Sequence, residues 1–124
     1  LIGGNGRDLL IGGAGVDILN GEADDDILIG GTSTHSANLT ALNAIMAEWG
    51  SLVKSYATRV GNLRDTGVGV GNSIKLKNTT VQNDANAADS LTGGTGGAEN
   101  TDWFFQSTND VLDAILGETV TPAP

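Results

Sequence analysis

The chain has 124 residues, with 15 acidic side chains against six basic ones, no cysteine and a net charge of −9. That length suits one domain with one core, the charge repels nucleic acid and anionic membranes, and the missing thiols exclude disulfides, thiolate metal sites and a cysteine nucleophile. No run approaches the roughly 18 apolar residues of a membrane span.

The acids are unevenly placed. Residues 1–38 hold six acids and one base, residues 39–83 two acids and five bases, and residues 84–124 seven acids and no base. Three zones follow, of net charge −5, +3 and −7.

Written in nines, the first zone reads GGNGRDLLI from Gly3, GGAGVDILN from Gly12, GEADDDILI from Gly21 and the decayed GGTSTHSAN from Gly30. Aspartate recurs at the sixth place as Asp8, Asp17 and Asp26, and leucine at the eighth as Leu10, Leu19 and Leu28. Leu1 and Ile2 fit the last two places of a preceding unit, so the array is expected to continue upstream. Each unit predicts a Gly-rich turn and a strand of about three residues, too short to bury anything until units stack. With two units per coil, Asp8 lies over Asp26 and Asp17 over His35, at a strand spacing of about 4.8 Å. Two bare carboxylates about 5 Å apart repel by roughly 3 kcal/mol at an effective dielectric near 20. A cation relieves that repulsion, and calcium accepts six to eight oxygens from carboxylates and carbonyls alike.

These units resemble the GGxGxDxUx repeats of RTX, or haemolysin-type, calcium-binding proteins. The resemblance implies a mainly β fold, a parallel β-roll binding Ca²⁺. In that family the first and third residues of one unit, the second and fourth of the unit stacked on it, and both sixth-position aspartates supply the ligands. Carried across, one site uses Gly3, Asn5 and Asp8 with Glu22, Asp24 and Asp26. A second uses Gly12, Ala14 and Asp17 with Gly31, Ser33 and His35, weakened by the nitrogen ligand. A further one uses Gly21, Ala23 and Asp26 and shares Asp89.

From Leu39 the period changes. Leu39, Leu42, Met46, Trp49, Val53, Tyr56, Val60 and Leu63 alternate by threes and fours, which predicts an amphipathic helix capped by Ser36 or Asn38 and weakened at Gly50 and Gly61. Its seam is expected to pack on its own domain, with self-association through the heptads as the other use. After a flexible TGVGVGN segment, SIKLKNTTV predicts a strand with Lys75 and Lys77 on a wet face. The repeat pattern resumes in a unit from Asp84, with Asp89 and Leu91 at the sixth and eighth places, and in a stretched unit from Gly93 with Asp102 at the aspartate place. The expected organisation is therefore repeats at 1–38, an insertion at 39–83, and resumed repeats with an aromatic cap at 84–124. Trp103, Phe104 and Phe105 are read as that cap, or else as a sugar-binding platform. TNDVLDAILGE predicts a short C-terminal helix, capped by Thr108 or Asn109 and stopped by Gly117.

The chain has no GxSxG, no HExxH and a single histidine, His35, so no nucleophile with its base can be assembled. The residues predict a non-catalytic calcium-binding module. The family resemblance adds secretion from a bacterium by a type I apparatus, folding outside the cell, and a place at the C-terminal end of a larger protein, joined to upstream domains of the same polypeptide. The acidic C-terminus is either a secretion signal or a plain cap. The rival reading is an adhesion or assembly module using the heptad helix or the aromatic cluster.

Overall fold

The computed structural model describes residues 1–84, 87–96 and 100–124. Part of the unit expected from Asp84, and part of the stretched turn expected after Gly93, lie outside the described residues.

Short strands follow from the repeat, because the Gly-rich stretches turn the chain before a strand can lengthen. β1 (Ile2–Gly4), β2 (Leu9–Ile11), β3 (Ile18–Ala23) and β4 (Ile27–Ile29) alternate between two sheets. After a long excursion, β7 (Ser90–Gly96), β8 (Trp103–Gln106), β9 (Val111–Leu112) and β10 (Thr119–Pro122) continue the alternation. One sheet runs β1-β3-β7-β9 and the other β10-β8-β4-β2, with every neighbour parallel. Among the described residues the structure is thus mixed, with ten strands, two α-helices and two parallel sheets.

Leu9 pairs with Ile27, as an 18-residue coil requires. Ile18, however, pairs with Ser90, so the third coil closes only after the excursion. Leu10, Leu19, Leu28, Leu91 and Phe104 form the cluster between the sheets, each an eighth-position residue of its unit. Alternation along β8 sends Trp103 and Phe105 to the opposite face, where they join Ile27 and Ile29 beneath the helices.

The excursion supplies a third layer. α1 (Leu39–Trp49) starts at Asn38, whose side chain accepts the Ala41 N–H at 3.1 Å, and ends at Gly50. α2 (Tyr56–Gly61) starts at Ser55 and runs into a π-helical turn, Asn62–Thr66. The single helix expected from Leu39 to Leu63 is therefore broken. Leu39 and Val53 of its seam are 72% and 94% exposed, Trp49 of the seam is buried, and Ala41 and Ile45 from outside it are buried as well. A continuous heptad face for self-association does not exist, because Trp49, Val60 and Leu63 pack against Ile27, Ile29 and Trp103.

Two further expectations are corrected. Of the segment read as one strand, residues 73–81, only Val81 enters a named strand, β6 (Val81–Gln82), antiparallel to β5 (Thr32–Ser33). Thr80 Oγ1 bonds the Lys75 and Lys77 carbonyls and turns the chain before it can extend. The expected C-terminal helix is absent: Val111 and Leu112 extend the first sheet, and Ile115 and Leu116 are exposed in a turn. Ladder bonds to the β7 edge outweigh a weak local helical preference.

The excursion is bolted down at Asp25, a buried residue. Its carboxylate pairs with the Arg59 guanidinium from α2, lies 3.6 Å from Arg7, and accepts the Thr101 N–H at 2.8 Å. Its carbonyl accepts Trp49 Nε1–H at 2.9 Å. Arg7, Asp25 and Thr101 each immediately precede a stacked aspartate, so Asp25 ties three successive coils together and fastens the excursion to the middle one.

Candidate metal centre

Parallel stacking brings the sixth-position aspartates into two columns. In one, the Asp8 N–H donates to Asp26 Oδ1 at 2.8 Å, and the Asp26 N–H to Asp102 Oδ1 at 2.7 Å. In the other, the Asp17 N–H donates to Asp89 Oδ1 at 2.8 Å, and the Asp89 N–H to Asp110 Oδ1 at 3.2 Å. These bonds fix the carboxylates of Asp26, Asp102, Asp89 and Asp110 through Oδ1 and leave the second oxygen to be accounted for.

In five aspartates that second oxygen has no partner: Asp8, Asp17, Asp26, Asp89 and Asp102 each hold a buried Oδ2 without a hydrogen bond. Each lies where the first glycine of its turn would carry a side chain. A Cβ on Gly3 would sit 2.7 Å from Asp8 Oδ2 and 2.8 Å from the Gly21 carbonyl oxygen. On Gly12 it would meet Asp17 Oδ2 at 2.8 Å and the Gly30 carbonyl, and on Gly21 it would meet Asp26 Oδ2 and, at 2.7 Å, the Gly93 carbonyl. Gly30 and Gly93 stand likewise against Asp89 and Asp102. The glycines thus hold open small cradles in which a carboxylate oxygen and, in three of them, a carbonyl of the next coil converge. Asp110 shows the contrast. Its Oδ2 is satisfied by Ser107 N–H and Oγ–H, both at 2.7 Å, and none of the described glycines has Asp110 against its side-chain space.

A buried carboxylate oxygen without a donor costs several kcal/mol, and the titration of these groups reflects it. Burial pushes Asp26 up to about 8 and Asp102 up to about 7, and raises Asp8 and Asp89 as well. An acid whose pKa is raised in the folded state makes that state lose stability as pH climbs from the unfolded value, near 4, through the folded one. In calcium-free buffer, the far-ultraviolet signal of folded chain is therefore expected to be larger at pH 5 than at pH 8. Asp26→Asn, neutral at every pH, should flatten that slope. A calcium-free signal that grows from pH 5 to pH 8 would contradict the assignment.

The donor set fits a hard divalent cation. It consists of oxygen only and joins carboxylates to main-chain carbonyls, both of which suit calcium. No group of three or more His, Cys, Asp or Glu side chains suited to a metal occurs among the described residues. Three of the cradles instead set a main-chain carbonyl beside the carboxylate oxygen.

The expected ligands sort unevenly onto this geometry. Gly3, Asp8, Gly21 and Asp26 come together as the 18-residue coil requires. Asp24 adds a grip on the same turn, accepting the Gly6 N–H at 3.2 Å, and both Glu22 and Asp24 take left-handed φ values, 78° and 73°. Asn5 and Ala14 are exposed in their turns, while Ala23 pairs with Gly96 at the end of β3. Asp17 does not face His35, which is a correction: His35 Nε2 lies 3.0 Å from the Lys75 carbonyl, and Asp89 occupies the place over Asp17. Gly31 stays beside that turn, its carbonyl accepting the Gly13 N–H at 3.0 Å, but Ser33 has left it for β5. Asp89 is shared with Asp17 rather than with Asp26, whose next partner is Asp102. The fourth unit is therefore split, its glycines at 30–31 and its aspartate at 89. Asp84 joins from the far side, accepting the Gly15 N–H at 2.8 Å. Sequence reasoning missed Gly30, Asp84 and Asp102 as site residues, although Asp102 stood in the aspartate place. The aromatic cluster offers no platform, since Trp103, Phe104 and Phe105 are all buried.

Residues 2–33 match the model of the RTX calcium-binding nonapeptide repeat, in four copies. That segment is an RTX repeat array, and the family binds Ca²⁺. No curated protein and no solved structure matches the chain. No helix among the described residues is long and apolar enough to cross a membrane.

Proposed function

We propose that this RTX-repeat chain is a non-catalytic calcium-binding module, a two-sheet β-roll that folds when calcium enters the cradles between its coils. The observation that carries the reading is the set of five buried, partnerless Asp Oδ2 atoms, each set in the side-chain space of a glycine. Bound calcium supplies the positive charge that the stacked carboxylates lack. The residues' own part is to hold those oxygens in place through the N–H bonds that run up each column, and to exclude side chains from the cradles.

RTX repeats occur in secreted bacterial proteins. Extracellular calcium modules bind at about 10⁻⁴–10⁻³ M, so the chain stays unfolded in a calcium-poor cytosol and folds after export. In this reading residues 1–38 and 84–124 form the roll of a secreted protein, and residues 39–83 are an insertion that clasps it.

Calcium isotherms of two variants test the ligand assignment. Asp89→Asn should weaken binding in the Asp17 column, raising its calcium midpoint several-fold, whereas His35→Ala should leave the isotherm unchanged. The opposite ranking would return the fourth unit to the register in which His35 faces Asp17, and would overturn the split unit.

A further inference from the structure

We infer that a groove lined by Arg64, Asp65, Lys75, Lys77, Asn78 and Thr121 binds an acidic sugar, one that carries sulfate or carboxylate groups. The site uses none of the cradle residues. It goes beyond the calcium reading and needs that reading only for a folded chain.

The placement of the basic side chains carries the inference. Of the six in the chain, Arg7 and Arg59 lie against Asp25, and Lys54 pairs with Glu48. The other three, Arg64, Lys75 and Lys77, all line this one groove of about 410 Å³. Its one acid, Asp65, is exposed and already held by Arg64 Nε–H and Nη2–H, at 3.0 and 2.8 Å. That pairing chiefly keeps the Asp65 carboxyl below the usual carboxylate range, and the charges of Lys75 and Lys77 add to it. Three cations against one carboxylate leave the groove positive in a chain of net charge −9. Only the main chain of Lys77 is hydrogen-bonded, to Thr80 and Val81, so its ammonium is free among the described residues.

These cations are held in place by the fold. Leu63 and Leu76 are fully buried, and the Leu76 N–H donates to the Leu63 carbonyl at 2.9 Å. That bond sets Arg64, the residue after Leu63, beside the two lysines that flank Leu76. The Gly67 N–H closes the π-helical turn on the Asn62 carbonyl at 2.7 Å. Gly67 has a φ of 91°, and a Cβ there would come 3.1 Å from Lys75 Cε. A bare turn thus lets the Lys75 stem cross it and donate Nζ–H to the Asp65 carbonyl at 2.7 Å.

Neutral groups complete the lining. Thr121 Oγ1 accepts the Trp103 Nε1–H at 2.9 Å and keeps its own hydrogen to donate, and Asn78 brings an exposed amide. Cations suit an acid group, the amide and hydroxyl suit sugar hydroxyls, and the groove has more room than a bare sulfate ion fills. A long polyanion meets the field of the whole acidic chain, whereas a short acidic sugar meets mainly the local positive charge, because added salt screens the rest.

The test titrates the full chain in saturating calcium with a sulfated chondroitin disaccharide and follows the amide resonances by NMR. Shifts are expected at residues 64–65, 75–78 and 121, and none with the unsulfated disaccharide. Lys77→Gln should weaken binding by about fivefold, the upper range for an exposed ion pair. Asp65→Asn, which removes the competing carboxylate, should tighten it several-fold, a gain that a merely structural role for Asp65 would not produce. Unchanged affinity in both variants would overturn the site, and inorganic sulfate bound as tightly as the disaccharide would overturn the sugar assignment. A folded, calcium-loaded chain that leaves the disaccharide unbound overturns the groove alone. A chain that folds and binds it equally well in excess chelator keeps the groove and overturns the coupling of calcium to folding.

Discussion

Arg59→Ala is expected to cost on the order of 3–5 kcal/mol, the typical cost of removing one partner of a buried ion pair. Asp25 is only 1% exposed, so without Arg59 its charge keeps little beyond Arg7, 3.6 Å away, and the Thr101 N–H. The loss extends past the pair. Arg59 also donates to the Trp49 carbonyl at 3.1 Å and lies 4.6 Å from the Trp49 ring centroid, so its removal loosens the ring that covers Trp103. A cost of that size is a large part of a domain's stability, and chemical unfolding in saturating calcium should show it directly. The double variant Arg59→Met with Asp25→Asn should recover part of the loss, because an apolar side chain opposite a neutral amide leaves no buried charge. If Arg59→Ala unfolds at the same midpoint as the unaltered chain, the excursion is not clasped to the coils through Asp25.

How much of this was legible in the sequence depended on the range over which each feature is decided. Asp8 and Asp26, with Leu10 and Leu28, could be paired in advance because one uninterrupted 18-residue coil separates them, and the spacing alone sets their register. Phe104 could be placed inward by the same phase, since Asp102 marks the aspartate place two residues before it. Asp17 could not be paired correctly. Its partner lies 72 residues away, and which residue closes that coil depends on where Thr32–Ser33 meets Val81–Gln82. His35 was nearer in the frame, but the frame had already ended at Gly31.

Other misses have different causes. Val111, Leu112, Ile115 and Leu116 have a helical spacing, but a short apolar run does not distinguish helix from strand, and the waiting β7 edge decided for strand. The heptads from Leu39 to Leu63 read as one helix weakened at Gly50, whereas Gly50 ends α1 and Ser55 caps a separate α2. Asp25 carried no signal of its own in the sequence, because its role requires Arg59, 34 residues on. Local chemistry was readable; closure across the excursion was decided by tertiary contacts.

The central claim, that calcium entry and folding are one event, leads to the largest expected effect. The buried Oδ2 atoms have no hydrogen-bond donors, and burial raises Asp26 to about 8 and Asp102 to about 7, so at neutral pH and without a cation the chain must either hold protons on these groups or bear unpaired charge. A ligand that binds only the folded form adds about 2.7 kcal/mol per site at one hundred times its dissociation constant. Several such sites together match the roughly 5–15 kcal/mol that separates folded from unfolded domains. The measurement is the far-ultraviolet circular dichroism of the full chain at pH 7.5, first with excess chelator and then through a calcium titration to 10 mM. The account predicts a largely unfolded spectrum in chelator and a steep, cooperative gain of sheet and helix signal with a midpoint near 10⁻⁴–10⁻³ M, the range of extracellular calcium modules. The same folded spectrum in chelator and in 10 mM calcium would contradict it.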